Sequence, residues 1–266
     1  MNVHVTTMGD GPDLVLLHGW GLNSACWGSF APALAERYRV RTIDLPGHGR
    51  SAWNAECAGV DGLVLAIRRH VPEGATVAGW SLGGMVALRL AQVAGSAVSR
   101  LVLLATTPRF IASADWRFGM SFEEFERFRQ RVETDHHRTV NEFLSLQVRG
   151  EAQPCTMLRQ LKRSLAAGGR AQPAALDHGL EILGTTDLRR TLPDIRQPAL
   201  VIAGTYDRLT HPEAARFLAK SLASGRFVAV DRAGHAAFLS HGPQVLDAVH
   251  GFLAPASTPA VAGRRQ

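Results

Sequence analysis

One stretch constrains this chain more than any other: Ala75-Thr76-Val77-Ala78-Gly79-Trp80-Ser81-Leu82-Gly83-Gly84. It opens with a short apolar run of the kind a buried strand uses. The residues that follow, Met85-Val86-Ala87-Leu88-Arg89-Leu90-Ala91, read as a helix. Between them, Gly79-x-Ser81-x-Gly83 forces a sharp strand-to-helix turn that raises a serine hydroxyl above the sheet in a strained backbone conformation. Glycine is required where strand and helix pass too closely for side chains. Ser81 also sits at a helix start, where free N–H groups favour developing negative charge. Three fixed letters in five recur by chance in glycine-rich turns, so the reading depends on what the rest of the chain supplies.

The rest repeats the strand-then-helix pattern. Leu14-Val15-Leu16-Leu17 is a buried strand running into His18-Gly19-Trp20-Gly21, and a helix is expected over 26–37. Val40-Arg41-Thr42-Ile43 is a second strand, ending in the turn-rich Asp44-Leu45-Pro46-Gly47-His48-Gly49-Arg50-Ser51, with a helix over 59–70. Leu101-Val102-Leu103-Leu104 is another strand. From 109 to 186 no strand-like run occurs, only helical spacing over 121–132, 138–149, 155–166 and 173–183. Strands return within 198–204 and at 227–230, with helices over 213–222 and 243–252. The expected fold class is therefore α/β, a mainly parallel sheet with helices on both faces and an inserted all-helical cap. The core would comprise 1–108 and 187–253, the cap 109–186, and 254–266, rich in Ala, Pro, Ser and Gly, a disordered tail.

Composition narrows the setting. At 266 residues, 46% hydrophobic and 20% charged, the chain suits one ordinary globular α/β domain with an insertion. No apolar run is long enough to cross a bilayer, and Met1-Asn2-Val3-His4-Val5 carries no export signal. Cys26, Cys57 and Cys155 are too few and too widely spaced for a disulfide framework or zinc site, so a reducing cytoplasm is the expected compartment. The net charge of +6 comes without a basic block interleaved with aromatics, which argues against a nucleic-acid partner.

In open α/β sheets functional groups gather at the carboxyl ends of strands. Asp207 follows the 200–203 strand and His235 the 227–230 strand, giving the order Ser81, Asp207, His235. That order belongs to the nucleophile-elbow hydrolases rather than to other serine hydrolases. Serine is a weak nucleophile and needs imidazole to take its proton; a carboxylate on the other ring nitrogen fixes the tautomer and stabilises the imidazolium. The tetrahedral intermediate needs N–H donors, expected from the backbones of Leu82 and Trp20. His18 is expected to support the oxyanion loop. Asp44 is the rival acid, in a turn beside the site. Taken singly, Asp207 reads equally as a turn or cap residue, and His235 is one of eleven histidines.

These residues resemble the α/β-hydrolase superfamily to about residue 253 and, more narrowly, the pimeloyl-acyl-carrier-protein methyl ester esterases of biotin synthesis. The narrower resemblance rests on 16–23, 44–51 and 79–84. Within the cap it rests on Arg138-Thr139-Val140, Phe143-Leu144-Ser145-Leu146-Gln147, 179–183 and 186–189. It implies hydrolysis of the terminal methyl ester of pimeloyl-acyl-carrier protein to methanol, with no metal or cofactor, by a monomer with no membrane or nucleic-acid partner. Ser81, Asp207 and His235 would form the triad, Trp20 and Leu82 would bind the ester oxygen, and Phe143, Leu144, Ser145, Leu146 and Gln147 would line the acyl channel.

The carrier protein is acidic, and Arg138, Arg159, Lys162 and Arg163 would dock it. Residues 138–170 hold six basic side chains (Arg138, Arg149, Arg159, Lys162, Arg163, Arg170) against two acidic (Glu142, Glu151), though a plain solvated helix face would look the same. Glu142 and Cys155 depart from the family, standing where its best-known members carry arginine. The alternatives are a broad short-chain carboxylesterase, a cofactor-free perhydrolase or acyltransferase, and a non-catalytic receptor on the same fold. Dehalogenases and epoxide hydrolases need aspartate where Ser81 stands.

Overall fold

A computed structural model describes residues 2–254. Seven strands form one sheet in the order β1-β3-β2-β4-β5-β6-β7: β1 (Val5–Met8), β2 (Asp13–Leu17), β3 (Arg39–Ile43), β4 (Ala75–Trp80), β5 (Val98–Leu104), β6 (Ala199–Gly204) and β7 (Gly225–Val230). All pairings are parallel except β1 with β3. Every residue of β4 and β6 is buried, as in a parallel sheet covered on both faces. The strand β1 was not anticipated. Its Val-Thr-Thr-Met is half-exposed and carries no apolar run, so its pairing with β3 creates the element.

The helices of the sheet are α1 (Phe30–Ala35), α2 (Gly59–Arg68), α3 (Leu82–Val93), α8 (Pro212–Ser221), α9 (Ala237–Ser240) and α10 (Gly242–Leu253); α2 packs on α3, and α1 on α10. The single helix expected over 26–37 is instead two pieces, a 3-10 turn at Ser24–Trp27 and then α1, separated where Gly28 takes φ 51°. The tail expected at 254–266 lies, apart from Ala254, outside the described residues.

Between β5 and β6 the chain leaves the sheet for four helices, α4 (Phe122–Thr134), α5 (His136–Gln147), α6 (Pro154–Gly168) and α7 (Pro173–Thr185). Their sequences explain them. Ser121 accepts the Glu124 N–H at 3.2 Å and opens α4, which buries Phe125, Phe128 and Val132 along one face. Asp135 accepts the Arg138 N–H at 3.0 Å and starts α5 one residue after α4 ends. On α6 the buried set is Met157, Leu161 and Leu165. The two ends of the insertion are pinned together. Arg109, leaving β5, bridges to Asp187 at 2.9 Å, and Arg189 holds the same carboxylate at 2.7 Å and Asp115 at 3.0 Å.

The sheet order reverses between β2 and β4, so their carboxyl ends form the crevice where such sheets hold their ligands. Register places Leu17 opposite Gly79. The loop after β2 and the turn after β4 therefore emerge side by side.

Candidate active site

Ser81 occupies a backbone conformation that L-residues avoid, φ 56° and ψ −118°. Its surroundings enforce this. The Ser81 N–H donates to Leu104 O at 3.0 Å, and its carbonyl accepts from Gly84 N–H at 2.9 Å and Thr106 Oγ1 at 2.7 Å. A Cβ on Gly79 would collide with the Gly83 carbonyl, and one on Gly83 with the Leu17 carbonyl. The two glycines are thus set by strand-to-helix packing. Thr106 carries no motif and could not have been singled out from sequence.

Asp207 and His235 meet 2.8 Å apart, Oδ2 to Nδ1, both almost fully buried. Three further donors saturate the carboxylate: Leu209 N–H at 2.8 Å and Thr210 N–H at 3.0 Å to Oδ1, and the Thr210 hydroxyl at 2.7 Å to Oδ2. Because Oδ2 accepts, His235 Nδ1 is the donor, which leaves Nε2 as the basic nitrogen. Trp80 fixes the histidine from below: its indole N–H donates to the His235 carbonyl at 3.0 Å, and its ring lies 5.7 Å from the imidazole. Asp44, the rival acid, is spent elsewhere. It accepts Ser24 N–H at 2.6 Å and Arg50 N–H at 3.0 Å; burial alone would raise its carboxyl, but these donors and nearby His18 hold it below the ordinary value.

The loop after β2 is braced by two histidines. Leu45 N–H donates to His18 Nε2 at 2.9 Å, so His18 Nδ1–H donates to the Gly19 carbonyl at 2.8 Å. Gly21 N–H donates to His48 Nε2 at 3.4 Å, and His48 Nδ1–H to the Pro46 carbonyl at 3.0 Å. Both imidazoles are therefore neutral struts flanking Trp20. Burial lowers the pKa of His18, and burial together with His18 pushes that of His48 down to about 3. The Trp20 side chain is 1% exposed, its indole N–H donating to Leu176 O at 2.9 Å and its ring meeting Phe128 and Phe143 edge-on at 5.5 and 5.0 Å. So α4, α5 and α7 all close over this residue. Leu82 opens α3, fully buried.

The five residues expected to line an acyl channel separate. Phe143 and Leu146 face a small apolar cavity of about 40 Å³ that they share with Phe110, Phe128, Leu180 and Leu209. Leu144 is fully buried, and Gln147 is buried with Oε1 unpartnered. Ser145 is the exception: it faces solvent, and its hydroxyl donates to the Asn141 carbonyl at 3.1 Å. At 100° per residue, 145 lies across the helix from 143. The basic residues Arg138, Arg159, Lys162 and Arg163 are all exposed on α5 and α6, and Arg138 is bound to Glu142 at 3.0 Å.

One neighbour of the site was missed altogether. Glu151, from the loop between α5 and α6, is 7% exposed, and its Oε1 accepts the N–H of Gly234 at 2.6 Å. Among the described residues no group of three or more His, Cys, Asp or Glu is placed to hold a metal ion, and no helix is long and apolar enough to cross a membrane.

The family model for the alpha/beta hydrolase fold matches residues 12–242. A curated pimeloyl-acyl-carrier-protein methyl ester esterase from Nitrosomonas europaea is 41% identical over 91% of this chain and 96% of its own length. The chain belongs to this esterase family of α/β-hydrolases. A second member, from Xanthomonas campestris, is 38% identical over 95% of this chain and 99% of its own. Likeness at this coverage includes the helical insertion as well as the sheet. A solved bromoperoxidase from Bacillus anthracis superposes with a TM-score of 0.85 over 94% of this chain and 95% of that one; at 23% identity it speaks for the fold alone.

Proposed function

We propose that this chain is a serine esterase that hydrolyses the methyl ester of pimeloyl-acyl-carrier protein, releasing methanol. His235 Nε2 takes the Ser81 proton as the hydroxyl attacks the ester carbon, and Asp207 stabilises the imidazolium that forms. The backbone N–H groups of Trp20 and Leu82 receive the oxyanion, each worth roughly 3–4 kcal/mol of transition-state stabilisation. Collapse expels methanol, protonated by His235. Water activated by the same nitrogen then cleaves the acyl-enzyme.

The observation that carries the chemistry is the 2.8 Å Asp207–His235 contact at the carboxyl ends of the sheet that also presents the strained Ser81. The substrate assignment is supported by relatives that match 91–95% of the chain, insertion included, at 36–41% identity. In this reading α4–α7 form a cap, the core is 1–108 with 187–253, and Phe143, Leu144, Leu146 and Gln147 border the acyl channel. Arg138, Arg159, Lys162 and Arg163 receive the acidic carrier protein, and the enzyme works as a cytoplasmic monomer.

The test compares kcat/KM for methyl pimeloyl-acyl-carrier protein with that for p-nitrophenyl butyrate, Ser81→Ala serving as blank. We expect the carrier-bound ester to be preferred by at least tenfold and the blank to be inactive. Turnover of the small ester alone would leave a short-chain carboxylesterase.

A further inference from the structure

An open cleft of about 520 Å³ lies between the start of α5, the second half of α6 and the segment entering α7. Its lining divides into two chemistries. Val140, Leu165 and Leu176 give an apolar wall that reaches Gly21. That wall ends at the oxyanion loop, because Gly21 follows Trp20 and the Leu176 carbonyl holds the Trp20 indole N–H. The other part is cationic or donor-rich: His136, His137, Lys162 and Arg170.

The lysine and the arginine on this rim lack a carboxylate partner. Among the described residues neither Lys162 nor Arg170 is ion-paired with a carboxylate; Arg170 Nη1 donates only to the His137 ring, at 3.1 Å. His136 Nε2 is buried without a hydrogen-bond partner, the nearest carboxylate oxygen, on Asp177, being 3.7 Å away. The one carboxylate lining the cleft, Asp135, is engaged by the Arg138 N–H at 3.0 Å. An apolar wall leading to the oxyanion loop, with unpaired cations at its outer end, suits a slender chain carrying an anionic head. Phosphate fits best, having enough acceptor oxygens for several donors at once.

We propose that Lys162 and Arg170, with His136 and His137, form a phosphate subsite for the prosthetic arm that carries the acyl group. The arm then runs along Val140 and Leu176 toward Trp20. This rests on the esterase reading above. It moves Lys162 from the carrier protein to the arm and leaves the exposed Arg138, Arg159 and Arg163 to the carrier protein itself.

Two protein-free substrates test it: methyl pimeloyl-pantetheine and methyl pimeloyl-4′-phosphopantetheine, followed by methanol release. For the unaltered enzyme we expect KM about tenfold lower with the phosphate and similar kcat. In Lys162→Glu/Arg170→Glu the KM ratio should fall to about one; since the ratio is read within each protein, loss of folded enzyme cancels. The same charge change on the exposed Arg196 and Arg226, as Arg196→Glu/Arg226→Glu, should keep the ratio. Equal KM values in the unaltered enzyme, a ratio that survives in the cleft variant, or one lost equally in the distant variant would each overturn the subsite. If neither arm-linked ester is cleaved while p-nitrophenyl butyrate is, the carrier-bound substrate reading falls and the subsite with it.

Discussion

The Glu151 carboxylate accepts the N–H of Gly234, 83 positions away in sequence, at 2.6 Å. The donor is the residue immediately before His235, and the acceptor belongs to the insertion. The loop joining α5 to α6 is thereby tied to the loop that carries the candidate base. Removing the acceptor leaves a buried N–H unsatisfied, a cost of about 1–3 kcal/mol. Glu151→Ala should lower kcat on p-nitrophenyl butyrate roughly tenfold with little change in KM, and lower the melting temperature by several degrees. Glu151→Gln keeps a carbonyl acceptor and should restore most of both. Steady-state kinetics and a thermal melt of the two variants decide it, and equal damage in both would show that the charge matters rather than the hydrogen bond.

The Thr210 hydroxyl is the only side-chain group besides His235 that donates to Asp207 among the described residues. Thr210→Val keeps the shape and removes the donor, so kcat should fall about three- to tenfold. Asp207→Asn replaces the acceptor that sets the imidazole tautomer, and by analogy with serine proteases kcat should fall on the order of 10⁴-fold. Both are read with a chromogenic ester at neutral pH, with circular dichroism to check folding.

Acid should unfold this protein through its loop histidines. His18 and His48 titrate below the ordinary histidine value in the folded chain, His48 at about 3, because burial penalises their charged forms. The unfolded chain binds their protons first, near pH 6.5. Stability is therefore full above pH 6.5 and is lost as pH falls toward 3, at up to roughly 1.4 kcal/mol per pH unit for each fully neutral histidine. Urea midpoints at pH 7 and pH 5 measure the loss. In His48→Gln, which removes this titration, the difference between the two midpoints should shrink.

The Arg138–Glu142 pair, with side chains 78% and 41% exposed, contributes little to stability, about 0.3–0.5 kcal/mol. It does neutralise one of the basic groups assigned to carrier docking. Glu142→Arg should leave the melting temperature within a degree or two. It should lower KM for methyl pimeloyl-acyl-carrier protein several-fold at low salt, the gain fading by about 0.5 M sodium chloride. A KM insensitive to both charge and salt would remove α5 from the docking surface.

Much of this molecule is determined by its sequence because the causes are local. Gly79 and Gly83 exclude side chains where strand meets helix, so the elbow at Ser81 can be read from five residues. Continuous apolar runs mark β2, β4, β5 and β6, and the 3.6-residue spacing of Phe125, Phe128 and Val132, or of Met157, Leu161 and Leu165, marks the inserted helices. The order Ser81, Asp207, His235 follows from the positions of β4, β6 and β7.

Tertiary structure decided the rest, where the partner is remote. Only pairing with β3 makes Val5–Met8 a strand, and a positive φ at Gly28 splits the expected helix. The family resemblance named Phe143 through Gln147 as a block, but the helix turns Ser145 to solvent. Nothing in Thr210, His48 or Glu151 as letters announces a role. Each gains one because the chain path brings a donor or acceptor remote in sequence or hidden by the fold within 3.4 Å, far from water, where an unsatisfied group is costly.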